Sequence, residues 1–193
     1  MNIKLIATDV DGTLVADDHL TIPPINIKSL KMAKENNINI VISTGRPYSL
    51  TEIEAAKLGS VDYLVLSNGA VVVDAKTKGV IYDCYLPLEQ LEKNIPDLVF
   101  SAGFKGNMEI AAKGADKGRG LAWLADKLGI NSEEVMAFGD SGNDVTMLEF
   151  AGHSYAMISG NEKAKSAAKY VTKLSNNNGG VGDTVREIFG LNI

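Results

Sequence analysis

Four short stretches of this 193-residue chain hold the residue types that chemistry at phosphorus needs: Asp9-Val10-Asp11-Gly12-Thr13, Ser43-Thr44-Gly45-Arg46, Ser67-Asn68-Gly69 and Gly139-Asp140-Ser141-Gly142-Asn143-Asp144. In the first, two carboxylates stand two residues apart before a glycine that permits a sharp turn. One of them can attack while the other handles protons. Attack by an aspartate on phosphorus gives an aspartyl-phosphate, which divides a hard displacement into two easier ones. Charge spread over the transferring oxygens needs fixed donors, and the Thr44 hydroxyl, the Gly45 amide and one lysine supply them. Crowding Asp9, Asp11, Asp140 and Asp144 together is unfavourable by like-charge repulsion unless a hard cation with oxygen ligands, most naturally Mg²⁺, neutralises them. A calcium loop is excluded by counting. An EF-hand started at Asp9 puts Leu14 where the glycine belongs and Leu20 where the bidentate glutamate belongs.

These residues act together only if strands deliver them to one edge, and the hydrophobic pattern does so. Ile3–Thr8 is a short, buried-type run that ends at Asp9. A helix over Asn26–Asn37 and a strand over Ile38–Ser43 complete a βαβ unit, followed by a helix from Pro47 to Leu58, stopped by Gly59, and a strand over Asp62–Ser67. Parallel pairing is the expected topology. Ala70–Asp74 and Val80–Asp83 read as a β-hairpin. Leu86–Met108 carries the weakest signal, with a short helix near Leu88–Asn94, a strand near Leu98–Ser101 and turns at Gly103 and Gly106. The alternation resumes with helices over Lys117–Leu128, Asn143–Phe150, Glu162–Lys169 and Val181–Phe189, and strands over Val135–Phe138, Ser154–Ile158 and Tyr170–Thr172. In such an open sheet ligands bind beyond the carboxyl ends of the strands, where all four stretches fall. Asn176-Asn177-Asn178-Gly179-Gly180 is the one biased segment, a loop before the last helix.

Together these residues resemble the haloacid dehalogenase (HAD) superfamily of phosphatases, and within it the Cof-like sugar-phosphatase branch. Asp9–Leu14 is similar to its first motif, Ser43-Thr44-Gly45-Arg46-Pro47 to its second, Lys117-Gly118 to its third and Gly139–Asp144 to its fourth. The resemblance covers Ile3 to about Asp83 and Met108 to about Phe189. It implies a Rossmann-like α/β fold, a mainly parallel sheet with helices on both faces. It makes Asp9 the nucleophile and Asp11 the general acid/base, with Thr44 and Lys117 on the phosphoryl group. Mg²⁺ would be held by Asp9, the backbone carbonyl of Asp11, and Asp140, with Asp144 close by. Gly45, Arg46, Asn68 and Asn143 would border the substrate.

Some residues admit two readings. Lys113 competes for the lysine role, and Lys117 is preferred because it opens a helix and precedes Gly118. Arg46 either touches the substrate phosphate or pairs with an acid at a helix start. His19 and His153 read as surface or packing residues, Trp123 as a packing residue, and Lys105, Lys113, Lys117 and Arg119 as either an anion-attracting group or a solvated face.

The branch usually inserts a domain-sized cap before the third motif, whereas Leu86–Met108 here is 23 residues, too few for an independent domain. The expectation is one core domain over residues 1–193 with a truncated cap over 84–108, and a site that is open or covered by a second copy in a homo-oligomer. A catalytically poor scaffold that binds partners and a phosphomutase are the competing functions, the latter disfavoured because it must keep its phosphorylated intermediate from water. Composition narrows the rest. With 19 Lys+Arg against 24 Asp+Glu the net charge is −5, against general nucleic-acid binding. No apolar run approaches the ~20 residues of a membrane span, an aspartate by position 9 leaves no signal-peptide core, and the single cysteine, Cys84, forms no internal bridge. A small phosphorylated substrate and a cytoplasmic location are expected.

Overall fold

The computed structural model describes residues 2–84, 98–101, 109–112 and 114–191. The first half winds β1 (Leu5–Thr8), α1 (Pro24–Glu35), β2 (Asn39–Ser43), α2 (Tyr48–Leu58) and β3 (Tyr63–Leu66), followed by the hairpin β4 (Val71–Asp74) and β5 (Val80–Asp83). Next come β6 (Leu98–Ser101) and β7 (Glu109–Ala112), then α3 (Lys117–Lys127), β8 (Val135–Gly139), α4 (Val145–Phe150), β9 (His153–Ala156), α5 (Glu162–Ala167), β10 (Tyr170–Val171) and α6 (Gly180–Phe189).

One eight-stranded sheet runs in the order β10-β9-β8-β1-β2-β3-β4-β5. It is parallel from β10 to β3 and antiparallel where the hairpin joins it, as the sequence predicts. Strand β1 is central. The chain first builds outward from it through β2 and β3, then returns to its other side with β8, so the loops after β1 and β8 part across a topological switch point.

Alternation along the central strands feeds two cores. Ile6, Ile40, Ile42 and Leu64 face Leu30 and Ala33 of α1, Leu58 of α2 and Val181 and Val185 of α6. Leu5, Ala7, Val41 and Val135 face Leu121, Leu124 and Ala125 of α3 and Met147 of α4. A sheet buried on both faces explains why its strands read as unbroken apolar runs. Helix ends follow the predicted punctuation: Pro47 precedes α2 and Gly59 closes it with φ 62°. Trp123 packs as expected, its ring 4.8 Å from that of Tyr82.

The structure departs from the sequence reading in one strand. Between β5 and α3 the sequence predicts one strand, near Leu98–Ser101; the structure has β6 there and also β7, and the two pair antiparallel as a separate two-stranded sheet. The expected helix near Leu88–Asn94 and the turns at Gly103 and Gly106 lie outside the described residues.

Gly118 is required by packing rather than by backbone angle. A Cβ there would run into the backbone carbonyl of Thr146, because α3 and α4 touch at this point and the Gly118 amide donates to the Thr146 hydroxyl at 3.1 Å. Overpacking of this kind costs about 1–3 kcal/mol. Gly118→Ala is therefore expected to lower the free energy of unfolding by that amount, read as a lower urea midpoint. An unchanged midpoint would show that the helices can part freely.

Candidate active site

Strands β1 and β8 lie in register, Thr8 opposite Phe138, and the Asp9 amide donates to the Phe138 carbonyl at 3.0 Å. The loops that leave them therefore start side by side. Asp9, Asp140 and Asp144 each bring a carboxylate oxygen within 4.8 Å of the others. Lys117, wholly buried at the start of α3, points into this group and donates from Nζ to Asp9 Oδ1 and to Asp144 Oδ1, both at 2.6 Å. The other oxygen of Asp144 accepts the amides of Asp140 and Ser141 at 2.9 Å each, so Asp144 ties the lysine to the turn after β8. Thr13 donates to Asp140 Oδ1 at 3.2 Å. Gly12, at φ 73°, leaves Asp140 its space: a Cβ there would stand 2.6 Å from Asp140 Oδ2.

Lys117 pairs directly with two of these three carboxylates, Asp9 and Asp144. Burial, reinforced by Asp144 and Asp140, pushes the Asp9 carboxyl well above its ordinary range despite the attraction of Lys117. Burial and Asp144 push Asp140 up to about 6. Burial alone would weaken the hold of Lys117 on its proton, but the carboxylates of Asp144 and Asp9 outweigh it and keep the ammonium charged. A compact set of hard oxygen donors with surplus negative charge fits a divalent metal ion.

The sequence predicts that four carboxylates converge, and the structure brings together three. Asp11 is turned elsewhere. The strand ends at Thr8, so Asp9 stands just before the turn Val10–Leu14 and Asp11 within it, where strand alternation no longer points them the same way. Arg46 claims the Asp11 carboxylate through a two-bond fork, Nε to Oδ2 at 2.7 Å and Nη2 to Oδ1 at 2.5 Å. His19 Nδ1 stands 3.1 Å from Asp11 Oδ1. Against burial, which would raise it, these two partners hold the Asp11 carboxyl below its ordinary value. Of the two readings of Arg46, the structure realises pairing with acids: Nη1 also reaches Glu54 Oε1 at 3.2 Å.

Thr44 and Gly45 follow β2, the strand beside β1, with Thr44 buried and its hydroxyl accepting the Arg46 amide at 3.2 Å. Asn143 donates from its side chain to Asn68 Oδ1 at 3.1 Å, which joins the loops after β8 and β3. Lys105 and Lys113 lie outside the described residues. Lys117 belongs to no solvated basic face, and Arg119 donates to the Gly114 carbonyl.

Two residues near the site escape sequence reasoning. His19 reads as a surface or packing residue because no strand end carries it. It sits in a loop at φ 56° and reaches Asp11 from outside the βα pattern. Glu54 falls on the buried side of α2 with Thr51 and Leu58, and a carboxylate in that row is the available signal. Its Oε2 is buried with no hydrogen-bond partner.

A doubly wound sheet with an acidic cluster at its switch point is the architecture of an α/β enzyme. A family model described as haloacid dehalogenase-like hydrolase matches residues 6–99 and 88–185. The chain belongs to this family, in its Cof-like branch, and is a phosphatase of the HAD type. It is 29% identical to the 5-amino-6-(5-phospho-D-ribitylamino)uracil phosphatase of Bacillus subtilis in an alignment 241 positions long that covers 96% of each protein. It is 26% identical to the phosphoglycolate phosphatase of Methanopyrus kandleri over 91% of this chain and 93% of that one. Among solved structures, the HAD subclass IIB sugar phosphatase BT4131 superposes with a TM-score of 0.83 at 25% identity, covering 97% of this chain and 99% of the other. No helix among the described residues is long and apolar enough to cross a membrane.

Proposed function

We propose that this chain is a Mg²⁺-dependent phosphomonoester hydrolase that works through an aspartyl-phosphate on Asp9, with sugar phosphates or similarly small phosphoesters as substrates. The observation that carries this reading is the buried carboxylate cluster with Lys117 at its centre. Asp9 attacks phosphorus as the bond to the leaving oxygen breaks, and Asp11 gives that oxygen a proton. Asp11 then takes a proton from a water that attacks phosphorus, the bond to Asp9 breaks, and inorganic phosphate leaves. The lowered pKa of Asp11 favours its role as base in the second step. Lys117 holds Asp9 in line and, with the Thr44 hydroxyl and the Gly45 amide, meets charge on the phosphoryl oxygens. Asp9, Asp140 and the Asp11 carbonyl would hold the metal, with Asp144 orienting the loop behind them. Mg²⁺, when bound, supplies positive charge against the transferring group.

Small phosphoesters as substrates are supported by the relatives' names alone. A reduced cap over residues 84–108 is supported by length. The alignment with the Bacillus subtilis phosphatase is 241 positions long, more than this chain has residues, and the family model matches in two overlapping pieces. An open site, or one covered by a second copy, follows from that reading.

Hydrolysis of p-nitrophenyl phosphate and of a panel of sugar phosphates, phosphoglycolate and nucleotides tests the reading. Activity is expected with Mg²⁺ and lost in EDTA, and activity that survives EDTA would overturn the metal dependence. Proton linkage gives a second readout. Asp140, with its folded-state pKa up from 3.8 to about 6, binds a proton more tightly when folded. Its contribution to the stability of the metal-free protein is thus fully present below its unfolded value and lost as pH rises through about 6. Mg²⁺ binds the ionised form, so it should raise Tm more at about pH 7.5 than at about pH 5. Equal shifts at the two pH values would contradict a site built on these carboxylates.

A further inference from the structure

The loop between Val15 and Thr21 runs past the site and is anchored at both ends. On one side the Asn-rich segment before α6 clamps Asp17. Asn176 Nδ2 donates to Asp17 Oδ1 at 2.8 Å, Asn177 Nδ2 donates to Asp17 Oδ2 at 2.7 Å, and the Asp17 amide returns a bond to Asn177 Oδ1 at 2.8 Å. Asn176 is itself fixed: it is buried, donates to the Val15 carbonyl at 3.2 Å and accepts the Ser159 hydroxyl at 3.0 Å. On the other side Lys57 of α2 donates to the Leu20 carbonyl at 2.7 Å. Between these anchors Asp18 accepts the amides of Leu20 and Thr21 at 2.9 and 2.8 Å, and the turn so formed presents His19 to Asp11.

We propose that Asn176 and Asn177 position the acid/base Asp11 through this loop, with Asp17 as the clamped group and His19 as the tip that touches it. The Arg46 fork approaches from the start of α2, and on its own a planar pair of this kind can swing as a unit. A third donor from a different element fixes the carboxylate against that swing, since Oδ1 receives Arg46 Nη2 and His19 Nδ1 together. When Asp11 is ionised, as it is for the base step, its carboxylate only accepts hydrogen bonds, so Nδ1 is the donor in that state. His19 is then a positioning residue, and the Asn-rich loop, distant in sequence by 160 residues from the Asp17 it clamps, is part of the same device.

The inference rests on the reading of Asp11 as the acid/base, and two substrates separate a positioning role from a structural one. The p-nitrophenolate leaving group needs little help from an acid, whereas the alkoxide leaving glucose 6-phosphate needs a proton. Misplacement of a catalytic group is costly, so His19→Ala is expected to lower kcat/KM for glucose 6-phosphate about tenfold, a ratio that reports the first phosphoryl transfer and leaves out the shared hydrolysis of the aspartyl-phosphate. The loss with p-nitrophenyl phosphate should be much smaller. His19→Asn, which keeps a donor near Nδ1, should restore most of the rate. Asn177 is exposed, so Asn177→Ala spares the core. It should show the same substrate-dependent loss and add little in the His19→Ala background. Equal losses on both substrates, no loss at all, or effects that multiply would overturn the proposal. Asp11→Asn is the control. Its near-complete loss of activity alongside an unaffected His19→Ala would sink the positioning role alone, whereas wild-type activity would sink the reading of Asp11 itself.

Discussion

Asp9→Asn is expected to abolish phosphatase activity, lowering kcat by at least about 10⁴-fold, the scale seen when a covalent nucleophile is removed. The fold should not suffer. The amide oxygen that replaces the carboxylate can still accept a bond from Lys117, and Asp144 still pairs with that ammonium at 2.6 Å in a buried setting. One of three crowded carboxylates has meanwhile been neutralised. The repulsion that Asp144 and Asp140 exert on a charge at position 9 is relieved, so the metal-free variant should melt at the same temperature as the wild type or higher. An inactive protein of undiminished stability is a signature that misfolding cannot produce. Activity above about a hundredth of wild type would remove Asp9 from the nucleophile's place.

Lys117→Met should damage stability as well as rate. Methionine roughly matches the lysine in length but leaves Asp9 and Asp144 buried without their shared counter-charge. Removing one partner of a buried ion pair costs about 3–5 kcal/mol, so a clear fall in the urea midpoint is expected at neutral pH. The loss should shrink as pH falls. The Asp9 carboxyl already sits well above its ordinary range, and without Lys117 it rises further and takes up a proton more readily. Restoration of stability in acid distinguishes an uncompensated charge from a packing defect, which would be independent of pH. Activity should fall by about 10²–10³-fold, the cost of deleting one fixed donor to a transferring group. A variant as stable as wild type at neutral pH would contradict the described role of Lys117.

Much of this site can be read before any coordinates, because its residues follow strands. Short apolar runs that end in Asp9, Ser43, Ser67 and Gly139 report buried parallel strands, and a doubly wound sheet aligns their carboxyl ends. Pro47 and Gly59 mark the limits of α2 for stereochemical reasons that hold in any context. What escapes the sequence depends on contacts between distant segments. Strand β7, Glu109–Ala112, is half alanine and lacks alternation, so only its pairing with β6 defines it. The direction of Asp11 is decided by Arg46, 35 residues away, and by His19 on a loop without periodicity. Asn176 and Asn177 look like an ordinary polar turn until Asp17 is placed beside them.

The central claim is that phosphorus becomes bonded to Asp9. Borohydride added during turnover of p-nitrophenyl phosphate reduces an acyl-phosphate to an alcohol and converts the aspartate that carries it to homoserine. Peptide mass spectrometry should find homoserine at position 9, only when substrate and Mg²⁺ are both present. Homoserine at Asp11, Asp140 or Asp144 instead, or sustained hydrolysis by Asp9→Asn with no aspartate modified, would contradict it.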